Sequence, residues 1–99
     1  MDSFEDKIKR VKKDLERMGF FINDGIKYGL DLLAYTANPD TVHSKYGVLI
    51  FREMSFQQLV TYQRICNSNN KILMIAYVDD DNIRYVECER FIVEPDELS

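Results

Sequence analysis

The run Ile72-Leu73-Met74-Ile75-Ala76-Tyr77-Val78 contains no polar side chain. Successive side chains of a strand point to opposite faces, so a half-solvated strand alternates apolar with polar residues. An unbroken apolar run of this length predicts a strand covered on both faces. It is far short of the ~20 residues that a membrane span needs. A strand covered on both sides needs a layer above and a layer below the sheet, and the chain offers two amphipathic helices to supply them.

The first helix is predicted over residues 3–18. Ser3 can cap it, with Glu5 and Asp6 in the first turn facing the positive end of the helix dipole. Phe4, Ile8, Val11, Leu15 and Met18 recur at steps of three and four and form one apolar stripe. Gly19 stops it. Lys9, Arg10, Lys12 and Lys13 read first as a solvated face, and second as a basic RNA contact. The second helix starts from a capping box, Ser55 with Gln58, and carries Phe56, Leu59, Tyr62 and Cys66 on one side. Asn67 to Asn70 break it.

The remaining segments read as strands. Phe20 to Ile22 is a short one, followed by a turn at Asn23-Asp24-Gly25, beyond which Ile26 and Tyr28 alternate with polar residues. Leu30 to Tyr35 and Tyr46 to Phe51 follow, joined through Asn38-Pro39-Asp40. After the apolar run comes a tight turn at Asp79-Asp80-Asp81-Asn82, then a last strand from Ile83 to Val93. The expectation is an α/β (α+β) domain: a mixed sheet flanked by helices, one on each face. The 99 residues leave room for one domain, 1–99, with the first helix followed by a core over 19–93.

Composition narrows the function. A net charge of −4 argues against a free-standing, non-specific nucleic-acid binder, which would be basic. Such a chain can still act on nucleic acid within an assembly that supplies the positive field. The opening MDSFEDKIKR has no apolar signal core, so an intracellular location is expected, with no membrane partner. Cys66 and Cys88 lack metal-ligand spacing and read as reduced, packed thiols.

Three chemistry-bearing side chains stand at element ends: Tyr35 closing a strand, His43 in a loop, and Lys71 at a helix-to-strand corner. Residue types alone do not bring them together. A hydrolase built on Ser44 and His43 would need adjacent residues to reach each other, and there is no GxSxG. No glycine-rich phosphate loop is present. A metal nuclease would use Asp31, but its other carboxylates, Asp79 to Asp81, lie in a distant turn. RNA cleavage without a metal asks for less. The 2′-OH is a built-in nucleophile, so the protein supplies a base, an acid and a cation. Tyr, His and Lys are sufficient for that chemistry.

The stretch from Gly19 to Phe91 resembles the catalytic domain of the tRNA splicing (tRNA-intron) endonuclease family, over roughly three-quarters of the chain. "GFFINDGIKYGLDLLAY" is similar to that family's strand-turn-strand ending in a Gly-x-Asp-Phe-Leu-x-Tyr motif. "NPDTVHSKY" resembles its Asp-Pro…His-(Ala/Ser)-x-Tyr loop. "RICNSNNKILMIAYVDDDNIRYV" resembles its Arg-x-x-x-Ser-x-x-Lys strand and acidic hairpin. The resemblance implies a restriction-endonuclease-like fold, with Tyr35 as general base, His43 as general acid and Lys71 as the cation beside the phosphate. It gives Tyr46 a packing role under the loop. The eight-residue step from Tyr35 to His43 is closer to the family's eukaryotic catalytic subunits than to its longer archaeal loops.

The resemblance further implies pre-tRNA as substrate, cleavage at intron splice sites without a metal or cofactor, and 2′,3′-cyclic phosphate and 5′-OH ends. It also implies a four-domain assembly, homo- or hetero-oligomeric, with other endonuclease subunits. In it the last strand pairs with a partner, and Asp79, Asp80 and Asp81 plug a basic pocket. The location would be nuclear in a eukaryote and cytoplasmic in an archaeon. Two departures stand out: Leu32 where the family has Phe, and no Arg between Asn67 and Asn70 just before the Lys. The alternatives are a non-catalytic assembly subunit of the same complex, and a metal-dependent restriction-like nuclease using Asp31.

Overall fold

The computed structural model describes residues 3–88. The first helix, α1 (Phe4–Arg17), opens with a complete capping box. The Ser3 hydroxyl accepts from Asp6 N at 3.1 Å, and the Asp6 carboxylate accepts from Ser3 N at 3.3 Å. It closes as a Schellman motif around Gly19, whose φ is +103°. Gly19 N donates to Glu16 O and Phe20 N to Leu15 O, which pairs carbonyls the helix would otherwise leave open. Of the apolar stripe, Val11 and Leu15 are fully buried. Phe4 and Met18, at the two ends, stay largely exposed because the sheet underlies only the middle turns.

The strands are β1 (Phe21–Asp24), β2 (Leu32–Tyr35), β3 (Tyr46–Ile50), β4 (Ile72–Val78) and β5 (Ile83–Cys88). They form one sheet in the order β1-β2-β3-β4-β5. The β3–β4 pair is parallel and the others are antiparallel. Helix α2 (Phe56–Ser68) is the crossover that a parallel pair requires, and it starts from the Ser55–Gln58 capping box. The fold is therefore a mixed α+β sheet with two helices.

The pleat sorts the core into two layers. Leu32, Ala34, Tyr46, Val48, Ile50, Met74 and Ala76 pack with Val11 and Leu15 of α1. Leu33, Leu49, Leu73 and Ile75 pack on the opposite face with Cys66 of α2. Residues of β4 alternate between the two layers, which accounts for its unbroken apolar sequence. Cys66 and Cys88 are both free and buried in the α2 layer.

The structure corrects two local expectations. Asn23 and Asp24 are not a turn but the end of β1, paired with Leu33 and Leu32. The chain turns one step later, through a 3₁₀ helix at Ile26–Tyr28 between Gly25 and Gly29. The Asp24 carboxylate accepts from Ile26 N at 3.1 Å, which starts that turn and leaves Ile26 80% exposed. Gly25 is required there, since a Cβ on it would lie 2.8 Å from the Leu30 carbonyl oxygen. Strand β2 begins at Leu32 rather than Leu30, because Asp31 turns its carboxylate toward β3, where it accepts from Ile50 N at 2.7 Å. The last strand is seen from Ile83 to Cys88, and its expected continuation to Val93 lies outside the described residues.

Candidate active site

The register of three strands decides where the candidate residues stand. Ala34 of β2 lies opposite Tyr46 of β3, and Tyr46 lies beside Ile72 of β4. One residue outward, Tyr35, Lys45 and Lys71 form the next row. Lys45 N donates to Ala34 O, and Ile72 N to Lys45 O, both at 2.9 Å, so the row is tied by backbone bonds. Tyr35 and Lys71 are thus two strand spacings apart, about 10 Å between Cα atoms.

Pleating puts both on the α2 face. Tyr35 follows the parity of Leu33 and packs against the α2 layer. Lys71 follows the parity of Leu73 and Ile75. It is only 8% exposed, and its Nζ lies 4.9 Å from the centroid of the Tyr28 ring. Its backbone is pinned by a 2.8 Å bond from Lys71 N to Cys66 O, after Asn70 takes a left-handed φ of +56°. The nearby Cys66 thiol is pushed up to about 11 by burial, with the Lys71 charge pulling the other way. At neutral pH the thiol stays protonated, so it does not cancel the ammonium.

His43 arrives from the loop. Asn38 knots that loop: its carbonyl accepts from Thr41 N, Val42 N and the Thr41 hydroxyl, and its side chain accepts from Asp40 N. The knot delivers an exposed His43, beside Pro39, Asp40, Thr41 and Val42, two residues before Lys45 re-enters the sheet. Ser44 between them is buried. The structure therefore gathers Tyr35 and Lys71 on one face and one row, with His43 on the loop leading into that row. No hydrogen bond or ion pair within the described residues ties up the side chains of these three.

The other candidates have separate duties. Asp31 accepts from Ile50 N at 2.7 Å and from Arg52 at 3.0 Å, which commits it to joining β2 and β3. Among the described residues, no group of three or more His, Cys, Asp or Glu side chains could hold a metal ion. Tyr46 packs on the α1 face of the sheet, edge-on to Phe20 at 5.7 Å, and its hydroxyl donates to Glu87 at 2.9 Å. In the acidic turn, Asp79 accepts from Asp81 N at 3.1 Å and Asn82 N at 2.7 Å, and these bonds hold its carboxyl below the usual carboxylate range. Asp80 and Asp81 remain exposed at the tip. Tyr28 was invisible as a site residue in the sequence, since only the 3₁₀ turn carries its ring to Lys71.

A mixed sheet with a helix on each face, a phenol and an ammonium in one row and an imidazole on the loop that enters it, defines an α+β domain with three proton-bearing side chains toward one end of the sheet. The family model described as tRNA intron endonuclease, catalytic C-terminal domain, matches residues 4–85. A protein named tRNA-splicing endonuclease from Saccharolobus islandicus is 35% identical over 82 residues, which cover 78% of this chain and 45% of that protein. One of the same name from Methanococcus vannielii is 40% identical over 75 residues, covering 72% of this chain and 42% of that protein. The chain belongs to the tRNA intron endonuclease family and carries its catalytic C-terminal domain. It spans less than half the length of these relatives.

Proposed function

We propose that this chain cleaves pre-tRNA at intron boundaries by an intramolecular transfer at phosphorus. The 2′-oxygen forms the new bond to phosphorus and the bond to the 5′-oxygen breaks. Tyr35 takes the proton of the 2′-OH, and His43 gives a proton to the leaving 5′-oxygen. Lys71 lies beside the charge that grows on the phosphorane and stabilises it. The products are a 2′,3′-cyclic phosphate and a 5′-hydroxyl, and the chemical step needs no metal because the protein brings its own cation. The observation that carries this reading is the shared row and face of Tyr35 and Lys71, with His43 on the loop that enters the row. The name of the relatives supports the choice of substrate. We further propose that the chain works in an assembly with other endonuclease domains, through β5, the last strand of the sheet among the described residues, and the acidic hairpin, inside the cell.

The test is cleavage of a pre-tRNA transcript in excess chelator by the chain in its assembled form. Cleavage to cyclic-phosphate ends is expected, and a transcript with a 2′-deoxy sugar at the splice site should bind without being cut. Cutting of the deoxy substrate, or Mg²⁺-dependent 3′-OH ends, would overturn the mechanism. His43→Ala should slow cleavage by roughly 10²–10⁴-fold with little change in binding.

A further inference from the structure

Lys71 poses a problem that the cleavage scheme does not answer. A lysine side chain is long and flexible, and an ammonium used against a phosphate must be held in place. The usual partner, a carboxylate, would hold it but would also cancel its charge. No carboxylate pairs with Lys71 among the described residues. The group that faces it is an aromatic ring, with Nζ 4.9 Å from the Tyr28 centroid. The face of a ring attracts a cation through its quadrupole and leaves the net charge intact.

The ring is itself fixed. Gly25 O accepts from both Tyr28 N at 3.0 Å and Leu30 N at 2.9 Å, which closes the 3₁₀ turn on itself. Gly29 completes it in the left-handed region, with φ +73°. Tyr28 is half-buried and packs against the same layer as Tyr35. Ring and ammonium thus meet on the α2 face of the sheet.

We infer that Tyr28 is a positioning residue for Lys71: its ring holds the ammonium over the reaction site without neutralising it. The inference rests on the cleavage role proposed for Lys71. It makes Tyr28 a determinant of turnover rather than of substrate binding, and it assigns the effect to the ring and not to the hydroxyl.

Four variants test it in the assembled enzyme: Tyr28→Leu, Tyr28→Phe, Lys71→Ala and the double variant Tyr28→Leu with Lys71→Ala. Tyr28→Leu should lower kcat roughly ten-fold with KM little changed. Tyr28→Phe should rescue most of that loss. In a Lys71→Ala background, Tyr28→Leu should cost nothing further. A loss in Tyr28→Leu that persists undiminished without Lys71, or no rescue by Tyr28→Phe, would overturn the inference. A contact readout separates its failure from that of the cleavage scheme. The Lys71 ε-methylene NMR signals should be ring-shifted in the wild-type chain and in Tyr28→Phe, and unshifted in Tyr28→Leu. If Lys71→Ala cleaves at the wild-type rate while the ring shift is present, the role of Lys71 is wrong, and that of Tyr28 falls with it. If Lys71→Ala is inactive and the ring shift is absent, the role of Tyr28 alone is wrong. A melting temperature for each variant guards against misfolding, and Tyr28→Phe serves as the folded control.

Discussion

Gly47 sits in β3 directly against Leu30 and against Cys66 of α2. A Cβ there would lie 2.6 Å from Leu30 Cδ1 and 2.8 Å from Cys66 Sγ. Both neighbours are buried, so neither has free space to move into. Gly47→Ala should therefore destabilise the fold by about 1–3 kcal/mol, the usual effect of overpacking. Denaturant unfolding would measure it, and Cys66→Ala in the same background should recover part of the loss. An unchanged midpoint would mean that α2 can lift from the sheet at no cost. The consequence reaches the site, because Cys66 also accepts the backbone bond that pins Lys71.

The two helices differ in how they are attached. Helix α2 is held by burial of one face against β4, while α1 adds a polar clamp to the edge strand. The Tyr85 hydroxyl of β5 donates to the Asp14 carboxylate at 2.7 Å, and Arg17 pairs with the same carboxylate at 2.6 Å. Burial, then the hydrogen bond to Asp14 and the charge of its carboxylate, push the Tyr85 phenol above its ordinary value. A group whose value is raised on folding adds stability that is complete below its unfolded value and is lost as pH climbs toward the folded one. The contribution should thus be whole at neutral pH and fade above pH ~10, the ordinary tyrosine value. Tyr85→Phe should cost about 1–2 kcal/mol at pH 7 and flatten this part of the alkaline fall in stability. Unfolding curves at pH 7 and pH 11 would check it, and an equally steep alkaline fall in the variant would refute the clamp.

Across the whole molecule, the candidate site and the acidic turn stand at opposite ends of β4. Lys71 precedes the strand and Asp79 follows it, so the two are separated by about 26 Å of extended chain. Association and chemistry can therefore be altered independently. Asp79 must be spared, because its carboxylate builds the turn. Asp80→Lys with Asp81→Lys should leave the fold intact and weaken the proposed assembly, since charge placed against a complementary surface becomes repulsive when reversed. Sizing by light scattering would report it. An unchanged mass would mean that the turn is merely solvated.

Local chemistry was legible in the sequence. The Ser3 cap, the Ser55–Gln58 capping box, the glycine stop at Gly19 and the double-faced strand β4 can be read from neighbours within a few positions, while the candidate site residues came from the family resemblance. Short-range rules suffice there because each device is a bond or contact between residues three or four apart, or a period along one segment. The Gly25–Gly29 turn was not legible, because Asn23-Asp24-Gly25 satisfies turn chemistry equally well and only pairing with Leu32 and Leu33 keeps the first two in β1. Nor could the sequence give Asp31 its bonds to Ile50 and Arg52, or set Tyr28 against Lys71. Those contacts join residues some twenty to forty positions apart. They exist only once strand register is fixed, and register follows from burying two apolar faces at once. The sequence by itself determined both helices, the main strands and which residues could act; the tertiary structure decided which of them share a face, because a cation and a ring meet, and a phenol joins their face, only where the pleat and the strand order bring them there.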